Sequence, residues 1–216
     1  ARSRIACGCD AETRHVAPPG GVATMTPARR LKNILGGSAG NFVEWFDWFA
    51  YSAFAIYFSR AFFPAGDQTA QLLGAAAIFA VGFIARPLGA LLFGRYADRA
   101  GRRTALTLSV AMMCGGSLMI ALIPTGLGVL SPALLLVARL LQGLSVGGEY
   151  GASATYISEM AERTQRGFWS GFLYVTLTGG QLAALLLLVL LQRVLTEQQL
   201  YEWGWRIPFA VGAALA

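Results

Sequence analysis

The sequence predicts an all-α membrane protein, a bundle of six membrane-crossing helices whose last span is cut short. Three observations predict it. The chain is 56% hydrophobic and only 13% charged, against about 45–50% and about 25% in soluble domains. Its apolar residues fall in long unbroken runs rather than in the alternation of a half-buried sheet. Its basic residues, which give a formal charge of +6, sit in the short connections between those runs. A basic chain with a pI near 9.7 invites a nucleic-acid reading. The loop placement of the charge favours membrane orientation instead, because cytoplasmic loops collect Lys and Arg, so no nucleic-acid partner is expected.

Residues 1–30 contain Pro18, Pro19, Gly20 and Gly21 and no apolar run. They are expected to form a disordered cytoplasmic tail without a signal-peptide core. Met25, followed by Thr-Pro-Ala-Arg-Arg, is the expected natural start. Cys7, Cys9 and His15 lie close in the tail, but a fourth ligand and a folded context are missing, so no metal is expected. No phosphate-binding loop is present and no cofactor is implied.

The bundle is expected over residues 31–216, with apolar segments at about 34–58, 70–93, 104–123, 131–156, 167–192 and 206–216. The first five reach the roughly 20 residues that cross a ~30 Å hydrocarbon core. The sixth stops while still fully apolar. A helix halted there leaves its last carbonyls unsatisfied in lipid, so the last span reads as truncated. The connections alternate in charge. Arg29, Arg30 and Lys32 precede span 1, four arginines follow span 2, and Arg163 and Arg166 follow span 4. The opposite side carries Arg60, an uncharged Pro124–Pro132 connection, and Arg193 ahead of two glutamates. The N-terminus is therefore expected in the cytoplasm.

Ionisable groups inside spans are functional candidates, because lipid makes them costly and they need partners. Five stand out: Glu44, Asp47, Arg86, Arg139 and Glu149. In span 1, Asn41, Glu44, Asp47, Trp48 and Tyr51 share one helix face, which must turn toward a cavity or another helix. Such a stripe serves a proton or a substrate, or pairs structurally with an arginine on a neighbouring span. In span 4, Arg139, Gln142 and Glu149 lie within about 80° of one another on a 3.6-residue helix. Gly143, Gly147 and Gly148 form a seam along which another backbone can approach closely. Arg86 precedes Pro87 late in span 2. It is placed to bind substrate or to snorkel to the headgroups, and Pro87 frees a backbone carbonyl. Three carboxylates face two arginines, and no span contains histidine, so a proton relay here must use a carboxylate. Gly36-Gly37-Ser38-Ala39-Gly40 fits a nucleophile-elbow pattern, but that motif needs a strand–turn–helix setting and a histidine partner. Here it opens a membrane helix and the one histidine is His15, so an enzyme is not expected.

Between spans 2 and 3 the chain reads Gly-Arg-Tyr-Ala-Asp-Arg-Ala-Gly-Arg-Arg over residues 94–103. This run resembles the signature loop of the major facilitator superfamily at Gly94, Arg95, Asp98, Arg99, Gly101, Arg102 and Arg103. Arg139-Leu-Leu-Gln142-Gly143 with later glycine is similar to the superfamily's span-4 motif, whose arginine is linked to proton coupling. Gly40-Asn41-Phe42-Val43-Glu44-Trp45-Phe46-Asp47-Trp48, Arg86-Pro87-Leu88-Gly89 and Ser145–Gly151 resemble its metabolite:proton symporter family. Ser153–Tyr156, Tyr174–Leu177 with Gly179–Leu182, and Trp203–Phe209 look most like that family's alpha-ketoglutarate permease branch.

The resemblance covers Lys32 to the C-terminus and implies the six-span N-terminal half of a transporter, whose two halves rock around a midplane site. The partners it implies are a small organic acid, protons, the lipid bilayer of a bacterial inner membrane, and a C-terminal half of which this chain holds no second copy. Span 5 carries Gly171, Gly179 and Gly180 but no proline, unlike the Gly-Pro motif of proton-driven antiporters, which fits a symporter. Arg86 or Arg139, with Tyr51 and Gln142, would bind the substrate. Glu44, Asp47 or Glu149 would carry the proton, and Asp98 with the loop arginines would latch the cytoplasmic gate. The expected solute is 2-oxoglutarate. The alternatives are shikimate, citrate or a zwitterionic osmolyte, or a half-transporter inactive by itself.

Overall fold

In the computed structural model, backbone is described for residues 27–63, 67–160 and 166–215, and side chains for 39–63, 67–101, 104–148, 171 and 174–215. Five long helices dominate: α1 (Pro27–Phe62), α2 (Gln68–Ala100), α3 (Arg102–Leu122), α4 (Leu130–Met160) and α5 (Arg166–Val194). A short α6 (Glu197–Gln199) runs through a π-helical turn, Leu200–Gly204, into α7 (Arg206–Leu215). The first span starts earlier than expected. Residues 27–30, assigned to the tail, are the first turn of α1, and Pro27 stands at its start, where the missing N–H costs nothing. The expectations for Cys7, Cys9, His15 and Met25 lie outside the described residues. The Gly36–Gly40 pattern lies inside α1, so the strand–turn–helix setting of a nucleophile elbow is absent there.

Among the described residues, α2, Thr104–Leu122, Leu130–Gly148 and Tyr174–Val194 are long and apolar enough to cross a membrane. At 36 residues, α1 has the length for it, at 1.5 Å per residue. Its face of Asn41, Glu44 and Asp47 dilutes its hydropathy. The α6 start carries a capping box in which Thr196 and Gln199 satisfy each other's backbone N–H groups.

The connection between α2 and α3 also differs from the expected loop. Residues 94–100 continue α2, and the turn is one residue, Gly101, with φ 90° and ψ 148°. Nothing between Gly94 and Ala100 stops a helix. Only glycine adopts the Gly101 conformation without strain, so the signature is a helix end plus a one-residue corner.

The tightest packing joins α2 to α4, and α1 lies mainly on α5. Along the α2–α4 seam, a Cβ on Gly143 would strike the Gly82 carbonyl oxygen, one on Gly147 the Arg86 carbonyl oxygen, and one on Gly89 the Leu144 carbonyl oxygen. In lipid, where burial of apolar surface gives little drive between helices, such close backbone approach supplies the packing energy. The core on one side of the polar centre is aromatic: Tyr51, Phe54, Phe58 and Phe62 of α1 meet Trp205 and Phe209.

Candidate functional site

The span-1 stripe turns inward, as its periodicity requires. Asn41, Glu44, Asp47, Trp48 and Tyr51 are all buried, and each meets different neighbours. Asp47 reaches α3 and α4. Its Oδ2 accepts from Arg139 Nη1 at 3.1 Å and from Gln142 Nε2 at 2.9 Å. Its Oδ1 accepts from Ser117 Oγ at 2.6 Å, and Gln142 Nε2 also donates to Ser117 Oγ at 2.8 Å. The Asp47–Arg139 ion pair is sealed, with side chains 1% and 0% exposed. Arg139 leans on the Tyr51 ring, its guanidinium carbon 3.8 Å from the centroid, with Trp48 and Phe209 at 5.6 and 5.8 Å. Tyr51 is fixed from its far end, because its hydroxyl donates to the Ala75 carbonyl of α2 at 2.8 Å. The structure thus brings together four of the expected residues, Asp47, Arg139, Gln142 and Tyr51, in one desolvated cluster.

Glu44 and Arg86 stand elsewhere. They line a cavity of about 510 Å³ with Trp45, Pro87, Ala90, Val146, Gly147 and Leu177. The Arg86 guanidinium lies 4.2 Å from the Trp48 centroid, 4.1 Å from that of Phe83 and 5.9 Å from that of Trp45. Among the described residues its Nε and Nη2 have no hydrogen-bond partner. Glu44 acts on it electrostatically. A cation held against aromatic faces with two N–H directions unspent is suited to a planar carboxylate, which takes two parallel N–H bonds.

Of the expected gate residues, Gly94, Arg95, Asp98 and Arg99 are exposed on the last turns of α2, and Gly101 is the corner. The side chains of Arg102, Arg103 and Glu149 lie outside the described residues. Ser117 was missed. A serine in a span reads as a small packing residue, and only its placement on α3 opposite Asp47 reveals it as a ligand of both Asp47 and Gln142. Asn41 does more than continue the stripe. It bridges to α5, donating from Nδ2 to Thr176 Oγ1 at 2.7 Å and accepting from Trp45 Nε1 at 3.2 Å.

Residues 34–216 match the sugar (and other) transporter family. The chain belongs to this family, within the major facilitator superfamily. The transporter chain is 57% identical over 190 residues to the alpha-ketoglutarate permease of Escherichia coli, covering 87% of this chain and 44% of the permease. It is 39% identical over 200 residues to a citrate-proton symporter of Salmonella typhi, covering 90% of this chain and 46% of the symporter. An inward-open structure of the xylose transporter of E. coli superposes with a TM-score of 0.76 at 20% identity, over 86% of this chain and 45% of that one. That likeness shows the fold. The chain spans less than half the length of these relatives, and the part of the permease it matches is N-terminal. It is an integral membrane protein with the half-transporter architecture expected of the resemblance.

Proposed function

We propose that this chain is the N-terminal half of a proton-coupled symporter that carries 2-oxoglutarate across a bacterial cytoplasmic membrane, with its N-terminus in the cytoplasm. The observation that carries the reading is Arg86. It is an arginine that lines a cavity together with a carboxylate and whose buried Nε and Nη2 have no hydrogen-bond partner among the described residues. The 57% identity to the E. coli permease supports the choice of solute, and the basic residues at the start of α1 and the end of α2 support the orientation.

Arg86 takes one carboxylate of the solute in bidentate fashion. Glu44 and Asp47 are the proton carriers, with Glu149 a third on the α4 face. Asp47 works through its ion pair. A proton arriving on its carboxylate cancels the charge that holds Arg139, and the freed guanidinium, with Gln142 and Tyr51, becomes able to engage the anion. Release of the solute lets the proton leave and the pair reform. The exposed end of α2, with Arg95, Asp98, Arg99 and the corner that leads to Arg102 and Arg103, latches against a second half on the cytoplasmic side.

The test is uptake of labelled 2-oxoglutarate by carrier-deficient cells expressing the complete reading frame that contains these residues. Uptake should collapse with a protonophore and be competed by unlabelled 2-oxoglutarate more strongly than by citrate, shikimate or betaine. Undiminished uptake without a proton gradient would refute coupling. Stronger competition by another solute would move the substrate assignment to it.

A further inference from the structure

The cavity has two walls that do not touch through apolar contact alone. Trp45 of α1 and Leu177 of α5 both line it, and Asn41 joins the helices that carry them. The indole N–H is a donor only, so it must face the Asn41 carbonyl oxygen. That fixes the amide orientation and turns Nδ2 toward the Thr176 hydroxyl, the residue next to Leu177. The two bonds, 3.2 and 2.7 Å, form a relay from the ring on one wall to the Thr176 side chain beside the other. Asn41 is buried, and α1 and α5 approach closely one turn further along. There a Cβ on Gly180 would stand 2.6 Å from the Phe42 carbonyl oxygen. The relay therefore sits on a tight seam and sets the angle of the Trp45 ring, whose face lies toward Arg86.

We propose that Asn41 is a positioning residue of the solute site, which fixes Trp45 against Arg86 and ties that wall to the α5 wall through Thr176. The inference rests on the reading of the cavity as an organic-acid site. It predicts that Asn41→Ala weakens solute binding without slowing the transport cycle. Asn41→Ala removes both bonds, and loss of the one that orients Trp45 corresponds to a rise of about fivefold in KM for 2-oxoglutarate, with the maximal rate changed less than about twofold.

Trp45→Phe keeps an apolar wall and loses the N–H. If the relay is real, Asn41→Ala combined with Trp45→Phe is no worse than the poorer single variant, because both break the same bond. A merely structural asparagine would lower the amount of protein and the maximal rate at unchanged KM, and its effect would multiply with that of Trp45→Phe. Either result overturns the proposal.

A second measurement does not depend on the solute. With every cysteine of the carrier replaced by alanine, Cys7, Cys9 and Cys114 among them, and a single cysteine placed at Ala90 in the cavity wall, Asn41→Ala should change the rate of maleimide alkylation in membranes by about threefold or more, as the Trp45 wall loosens. An unchanged rate refutes the relay even if the carrier transports a different acid. A changed rate without any 2-oxoglutarate uptake supports the relay and counts against the substrate reading alone.

Discussion

Two buried carboxylates three residues apart on α1 have different partners. Asp47 is saturated: an arginine, a glutamine and a serine from two other helices converge on it, and the whole group is sealed from solvent. Glu44 is just as buried but lines a cavity, beside an arginine that leans on aromatic rings and whose Nε and Nη2 lack partners among the described residues. The difference teaches a division of labour. A sealed pair has two discrete states, held or broken, and suits a switch. A half-satisfied cation in a cavity suits a ligand that arrives from outside. The sealed group is itself not fully satisfied, since Arg139 Nε and Nη2 and Gln142 Oε1 lack partners among the described residues. That leaves it poised, because part of the desolvation cost of burying Arg139 is met only by ring faces.

Breaking the sealed pair is the harshest way to test the contrast. Asp47→Ala leaves the Arg139 charge buried and alone, a loss of about 3–5 kcal/mol. The expected outcome is a strong fall in the thermal midpoint of the detergent-solubilised carrier and abolished uptake. Asp47→Ala combined with Arg139→Met should recover much of the midpoint and none of the proton-driven uptake. If the double variant is as unstable as the single one, the pair is not what holds the centre together.

Arg86→Ala probes the other region, and it should do the reverse. The thermal midpoint should move little, because the guanidinium has spent few of its bonds on the protein. KM for 2-oxoglutarate should rise by about ten- to a hundredfold, corresponding to about 1.5–3 kcal/mol for a charge-assisted bond. Uptake kinetics and a melting curve on the same preparation check both halves. A large drop in stability with unchanged KM would make Arg86 an anchor of α2 and would erase the contrast.

The sequence carried this architecture unevenly. The 3.6-residue period of Asn41, Glu44, Asp47, Trp48 and Tyr51 was enough to say that this face is buried, and all five are. Periodicity gives a face and not a neighbour, so it left open whether Asp47 would meet Arg86 or Arg139. That choice is made by the α2–α4 glycine seam, which sets where α4 lies. Hydropathy reads α2 and α5 easily and dilutes α1, whose polar residues are the reason it matters. The corner at Gly101 was legible as a tight connection, but not as one residue, because the charged residues before it are equally at home in a helix. Ser117 left no trace at all: one hydroxyl among small residues in α3 looks like packing until its partners are known.

Ser117 therefore gives the finest test of the sealed region. Its hydroxyl donates to Asp47 and accepts from Gln142, so it sets the carboxylate's angle toward Arg139 without carrying charge. Ser117→Ala removes both bonds from a buried site. Polar bonds between membrane helices contribute about 0.6–2 kcal/mol, so the thermal midpoint should fall measurably but far less than in Asp47→Ala. Uptake should persist at a reduced maximal rate, since the pair survives with one oxygen of Asp47 unheld. The KM for 2-oxoglutarate should stay near the parent value, because the cavity with Arg86 is untouched. Ser117→Thr keeps the hydroxyl and should restore most of the rate if the added methyl fits. A Ser117→Ala carrier whose KM rises while its maximal rate holds would show that the two regions are one site, and the division between switch and solute pocket would have to be given up.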